Sequence, residues 1–190
     1  NNALSEGKKP KQIDFGKYEK YAEKVNDLLE SKREYLGQMD LNIKSPLVWE
    51  YYEKTLRKLK EYGASIIRLD AFAYAPKEPG QKNFLNEPGT WDLLGRIRGL
   101  ADKYELTLLP EIHSKYEERI HEKLAEEGYM TYDFFLPGLI IDALERNTGE
   151  YLVKWIRELQ EKKIRTVNML GCHDGIPLLD LKGLIPDDLI

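Results

Sequence analysis

Three short apolar runs, each stopping at a carboxylate, set the terms for any fold this chain adopts. They are Ser65-Ile66-Ile67-Arg68-Leu69-Asp70-Ala71, Leu108-Leu109-Pro110-Glu111-Ile112-His113 and Asn168-Met169-Leu170-Gly171-Cys172-His173-Asp174-Gly175. Apolar runs of this length, bounded by turn formers, read as buried strands. A carboxylate just past such a run sits where apolar walls meet an opening, and its pKa is tuned there.

The stretches between the runs carry helical spacing. A helix is predicted over 17–33. Another opens at Ser45-Pro46, with Ser45 as cap and Pro46 at its first position. Leu47, Tyr51, Tyr52, Leu56 and Leu59 form its expected buried stripe, and Gly63 its stop. Further helices are predicted over 90–104, from a Ser114–Glu117 capping box to Gly128, and over 138–145 and 150–162. Strands are predicted over 107–112, 130–135 and 165–170, and a short one over Met39–Ile43. The segment 74–89, rich in Pro and Gly, has the length of a functional loop.

This order, βαβαβαβ after an initial helix, is that of parallel βαβ units and an α/β fold. Carboxylates at several strand ends suit a β/α barrel, whose chemistry gathers at the C-terminal ends of its strands. A complete eight-stranded barrel takes about 250 residues. With 190 residues and four clear strands, the chain is expected to be a segment of one. Residues 1–37 read as a linker and a lead-in helix, and 38–190 as a partial catalytic barrel. Such a segment alone is expected to leave sheet edges open.

A net charge of −4 argues against a nucleic-acid partner. No apolar run reaches the length of a membrane span. The polar N-terminal stretch lacks a secretory pattern, and the single cysteine, Cys172, excludes an internal disulfide. A soluble, cytoplasmic protein is expected. Twelve tyrosines and three tryptophans suit either a packed core or sugar contact.

Taken singly, each carboxylate has a structural explanation. Arg68 and Asp70 point to one face of a strand and suit a salt bridge. Glu111 suits a helix cap, and His173-Asp174-Gly175 suits a turn. Together on one alternating series they point to a shared site. Three carboxylates and an arginine fit glycosyl transfer with retention: one attacks the anomeric carbon, and a second is acid and then base. The third holds sugar hydroxyls, and the arginine aims the nucleophile.

His113, His173, Asp70 and Asp174 could instead bind a divalent metal, but the histidine supply is thin for a catalytic centre. His121 is expected on the surface and Cys172 as a small buried side chain. No phosphate-cradling glycine loop or serine elbow is present.

Arg68-Leu69-Asp70-Ala71, Pro110-Glu111-Ile112-His113 and His173-Asp174 resemble three signature regions of the α-amylase superfamily, glycoside hydrolase family 13. Gln38-Met39-Asp40-Leu41-Asn42 resembles a fourth. Tyr74-Ala75-Pro76-Lys77-Glu78-Pro79-Gly80, Tyr132-Asp133-Phe134-Phe135-Leu136-Pro137-Gly138 and His173-Asp174-Gly175-Ile176 resemble its sucrose phosphorylase-like branch. That branch acts on sucrose, sucrose 6-phosphate and glucosylglycerate. Cys172 stands where amylases usually carry Asn.

The resemblance implies a TIM (β/α)8 barrel of which this chain holds roughly strands 4 to 7. The first strands, the last strand and the C-terminal β domain are absent, as is the early Asn-His signature. It implies Asp70 as nucleophile, Glu111 as general acid and base, and Asp174 as transition-state stabiliser. It implies that Arg68 and His173 contact the glucosyl unit, and that His113 and Tyr74 line the leaving-group side. The implied reaction transfers glucose to inorganic phosphate, giving α-glucose 1-phosphate without metal or organic cofactor. The alternatives are a hydrolase or transglucosidase of the same superfamily, and a catalytically inactive fragment or binding module. The acceptor and the oligomeric state are not legible.

Overall fold

The computed structural model describes residues 14–31, 41–78 and 81–190. The chain divides into two compact units, 1–40 and 41–190. In the first, a 3-10 turn (Gly16–Tyr21) runs into helix α1 (Ala22–Ser31). Met39 and Asp40, in the predicted 39–43 strand, lie outside the described residues. Leu41–Ile43 is irregular and turning rather than extended.

The second unit alternates as the apolar spacing demands. Helix α2 (Pro46–Glu61) leads to β1 (Ile66–Leu69), and α3 (Gly89–Asp102) to β2 (Thr107–Pro110). Helix α4 (Ile120–Glu126) leads to β3 (Thr131–Asp133). Helices α5 (Leu136–Arg146) and α6 (Glu150–Glu161) then precede β4 (Thr166–Asn168). Strand β1 pairs in parallel with β2, Arg68 opposite Leu109. Strand β3 pairs in parallel with β4, Tyr132 opposite Val167. Strands β2 and β3 lie side by side, with Cα atoms within 8 Å. Parallel neighbours joined by helices place every strand's C-terminal end on one side.

Two apolar clusters hold this unit. Trp49, Leu56, Leu93, Leu94, Ile97, Leu108 and Leu124 belong to the first, which joins α2, α3, β2 and α4. The second gathers Tyr116, Phe135, Leu139, Trp155, Leu181, Leu184 and Ile185. It ties α5 and α6 to the segment after β4.

Several expectations change. On α2 it is Trp49 and Leu56 that are buried, whereas Leu47 and Tyr51 are exposed. Trp49 turns inward because its indole N–H donates to the Ile43 carbonyl at 2.7 Å, while Arg96 covers its ring. Ser45 is extended but caps through its backbone, its carbonyl accepting from Val48 N–H. The capping box falls one residue later, Glu118 accepting from Lys115 N–H at 3.0 Å.

His121 is not a surface residue: it is only 5% exposed, stacked on Tyr116 and edge-on to Phe135 and Trp155. Its place on α4 points it into the second cluster, where aromatic contact outweighs its polarity. The strand face bearing Ile66 and Arg68 is open, Ile66 being 51% exposed.

Candidate active site

The site begins where β1 stops. Asp70 follows the last paired residue, and Ala71 then takes a left-handed conformation (φ 45°) that turns the chain into a short 3-10 segment, Phe72–Tyr74. An alanine there is uncommon and marks a turn held by its surroundings. Glu111 lies just past β2, which seats its carboxylate in a nearly closed environment, 7% exposed. Asp174 lies in a tight turn after β4, closed by Cys172 N–H to Gly175 O at 3.0 Å and Gly175 N–H to Cys172 O at 2.9 Å. Gly175 supplies the positive φ (100°) that this turn requires.

One guanidinium joins the first two carboxylates. Arg68 Nη1 lies 2.8 Å from Asp70 Oδ1, and Arg68 Nη2 pairs with Glu111 Oε2. The plain salt bridge between Arg68 and Asp70 therefore exists, and it extends to Glu111. His113 brings its Nε2 to 3.6 Å from Glu111 Oε1. Its other nitrogen, Nδ1, bonds Asp180 Oδ2 at 3.3 Å. Donor atoms of Glu111, His113 and Asp174 all lie within 4.8 Å of one another. His173 Nε2 lies 3.3 Å from Asp174 Oδ2. Tyr74 turns its ring onto Phe84, centroids 4.8 Å apart.

The electrostatics separate the carboxylates. Burial pushes the Glu111 pKa above its ordinary 4.5, and a hydrogen bond with Asp70 adds to this, while Arg68 opposes both. Glu111 is thus biased toward its protonated form, as a general acid requires. His113 is raised above 6.5, chiefly by its hydrogen bond to Asp180, with Glu111 and Asp174 contributing through charge. Burial raises Tyr132, which also faces the charges of Arg68, Glu111 and Asp70.

A cation site has limited fit here. Glu111, His113 and Asp174 offer three donors, but Arg68 already engages the Glu111 carboxylate. A histidine biased toward protonation is also a poor ligand.

Cys172 departs from expectation: it is half-buried, and its Sγ lies within 4.8 Å of donor atoms of His173 and Asp174. The segment is a turn rather than extended, so these neighbours do not point apart.

No family model matches the chain. Individual proteins do. It is 53% identical over 170 residues to a sucrose 6(F)-phosphate phosphorylase of Ilumatobacter coccineus, covering 86% of this chain and 32% of that protein. It is 35% identical over 153 residues to a sucrose phosphorylase of Streptococcus mutans, covering 80% and 31%. The crystal structure of sucrose 6F-phosphate phosphorylase from Thermoanaerobacter thermosaccharolyticum superposes with a TM-score of 0.71 at 37% identity, covering 78% and 30%. The chain belongs to the sucrose phosphorylase-like branch of the α-amylase superfamily. It spans about a third of the length of these relatives.

In this phosphorylase-branch chain, reading the sequence missed three residues around the carboxylates. Tyr132 and Phe134 stand out in the sequence only as parts of the Tyr132–Gly138 motif. Phe134 lies against the His113 ring, centroids 3.9 Å apart. Asp180 belongs to none of the sequence motifs. Its one signal is an acid set within the apolar stretch Ile176–Leu181. No described helix is long and apolar enough to cross a membrane.

Proposed function

We propose that the protein is a retaining glucosyl phosphorylase acting on sucrose or a phosphorylated sucrose. The observation that carries this reading is the shared Arg68 guanidinium, which sets Asp70 beside a largely buried, proton-biased Glu111. Two carboxylates of unlike environment, close together, are what a double displacement requires.

Asp70 Oδ attacks the anomeric carbon as the bond to the departing sugar oxygen breaks. Glu111 gives that oxygen its proton, and the charge left on Glu111 meets Arg68 and His113. Asp174 accepts from sugar hydroxyls, and these bonds strengthen as the ring flattens toward the oxocarbenium ion. A phosphate oxygen then attacks the same carbon, and Asp70 departs. Glu111 takes a proton back, and α-glucose 1-phosphate leaves with its configuration retained.

A partial (β/α)8 barrel accounts for the parallel strands and for the gathering of their C-terminal ends. The relatives' names support phosphate as the acceptor over water. Hydrolysis by the same residues would release free glucose and no glucose 1-phosphate.

The test is product analysis with the full chain, inorganic phosphate, and either sucrose or sucrose 6F-phosphate. Glucose 1-phosphate is the expected main product, absent in Asp70→Asn. Free glucose as the main product would favour the hydrolase. Absence of turnover, with sugar binding unaffected by Asp70→Asn, would favour a binding module.

A further inference from the structure

We infer that Asp180 is a positioning residue for the leaving-group side of the site, acting on Glu111 through His113. This deepens the phosphorylase reading and rests on it.

The geometry forms a chain of three side chains from three elements. Asp180 Oδ2 bonds His113 Nδ1 at 3.3 Å, and His113 Nε2 lies 3.6 Å from Glu111 Oε1. A carboxylate on one ring nitrogen fixes which way the other faces, as in other histidines oriented by a carboxylate partner. Phe134 covers one face of the ring, centroids 3.9 Å apart, so a flip about the His113 Cβ–Cγ bond is restricted.

Asp180 is itself well placed to hold. Its side chain is 14% exposed, against 37% for His113. It sits on a 3-10 turn (Leu178–Leu181) whose last residue, Leu181, is 2% exposed within the second apolar cluster. The turn is further pinned by Glu117 N–H donating to the Lys182 carbonyl at 3.3 Å. The carboxylate is therefore delivered by core packing, whereas a surface acid would swing free.

The effect is local charge control. His113 faces Glu111 past β2, Asp174 on the turn after β4, and Asp180. Its protonation is favoured by all three. A cationic ring beside Glu111 offsets the negative charge that appears there when the acid releases its proton. That benefit arises only when the departing oxygen needs a proton.

The chain has three histidines, so ring nitrogen NMR resolves them after assignment with single His→Gln variants. In Asp180→Asn, which keeps the size and an acceptor, the His113 titration midpoint is expected to fall by about one pH unit. A midpoint for His113 that does not move overturns the inference, whatever the activity.

Kinetics supply the second arm. Asp180→Asn should lower kcat/KM for phosphorolysis of an unactivated α-glucoside about tenfold. It should leave α-glucosyl fluoride, whose leaving group needs no proton, within about twofold. Equal loss on both substrates would mean a structural role only and would overturn it too. If the unsubstituted chain makes no glucose 1-phosphate, the phosphorylase reading falls, and the NMR arm still decides the Asp180–His113 link.

Discussion

Arg68 reaches from β1 to the end of the neighbouring β2 to pair with Glu111, and it does so with the same guanidinium that holds Asp70. Glu111 and Asp70 thereby share one counter-charge, so neither can be altered electrostatically without the other.

Replacing that charge tests the link. Burial comes first in raising Glu111, a hydrogen bond with Asp70 second, and Arg68 pulls the other way. In Arg68→Gln the opposing pull is gone, so Glu111 rises further. The proposed general acid must be protonated to act, so the alkaline limb of kcat/KM should move to higher pH while its plateau drops. A pH profile of glucose 1-phosphate formation reads this, and a shift to lower pH would contradict it.

His121 should make the fold acid-sensitive. Burial holds it down to about 4, against an ordinary 6.5, with Glu122 and Glu158 opposing and Arg119 and Lys162 assisting. The unfolded chain takes up this proton near 6.5, the folded one near 4. Stability from this residue is therefore complete above 6.5 and is lost as pH falls toward 4. The loss is on the order of 2–3 kcal/mol. His121→Phe should remove this component, seen as a flatter pH dependence of urea unfolding between pH 7 and 4.5.

Trp155 should matter through one hydrogen bond as well as its bulk. Its indole N–H meets both oxygens of buried Asp133, at 3.1 and 3.0 Å, and Asp133 also accepts Leu136 N–H at 2.9 Å at the start of α5. Burial already raises the Asp133 pKa, and Trp155 holds it back. Trp155→Phe keeps an aromatic ring but leaves a buried acceptor short of its donor, at a cost of about 1–3 kcal/mol. Denaturant unfolding measures it, and a change within experimental error would show that water replaces the donor.

Gly138→Ala sets propensity against packing. Alanine inside α5 gains up to about 1 kcal/mol as a helix former. Its Cβ would stand 2.5 Å from Leu181 Cδ1 and 3.2 Å from Leu178 Cδ2. Leu181 is fully packed, so overpacking of about 1–3 kcal/mol should win. A lower melting temperature together with reduced kcat/KM is expected. An unchanged midpoint would mean that the Leu178–Leu181 turn yields freely.

The alternation of strands and helices was legible because each apolar run has a simple period. The strands are shorter than their apolar runs: Ser65–Ala71 yields Ile66–Leu69, since Asp70 and Ala71 already turn away. The three carboxylates and Arg68 were legible because each ends or sits within such a run. Side-chain direction was less so. Trp49 displaced Leu47 and Tyr51 through a hydrogen bond to Ile43, a contact that helical spacing cannot show. His121 and Cys172 were misplaced for the same reason, their neighbours being set by tertiary contact and turn geometry. Asp180 bonds a residue 67 positions away, and no local pattern carries that.

The close seating of Leu181 on Gly138 makes position 138 a shim of zero thickness. Whatever occupies it sets how high the 178–181 turn rides over α5, and with it how far Asp180 reaches. The reach of that carboxylate toward His113 is then adjustable from behind, by volume alone.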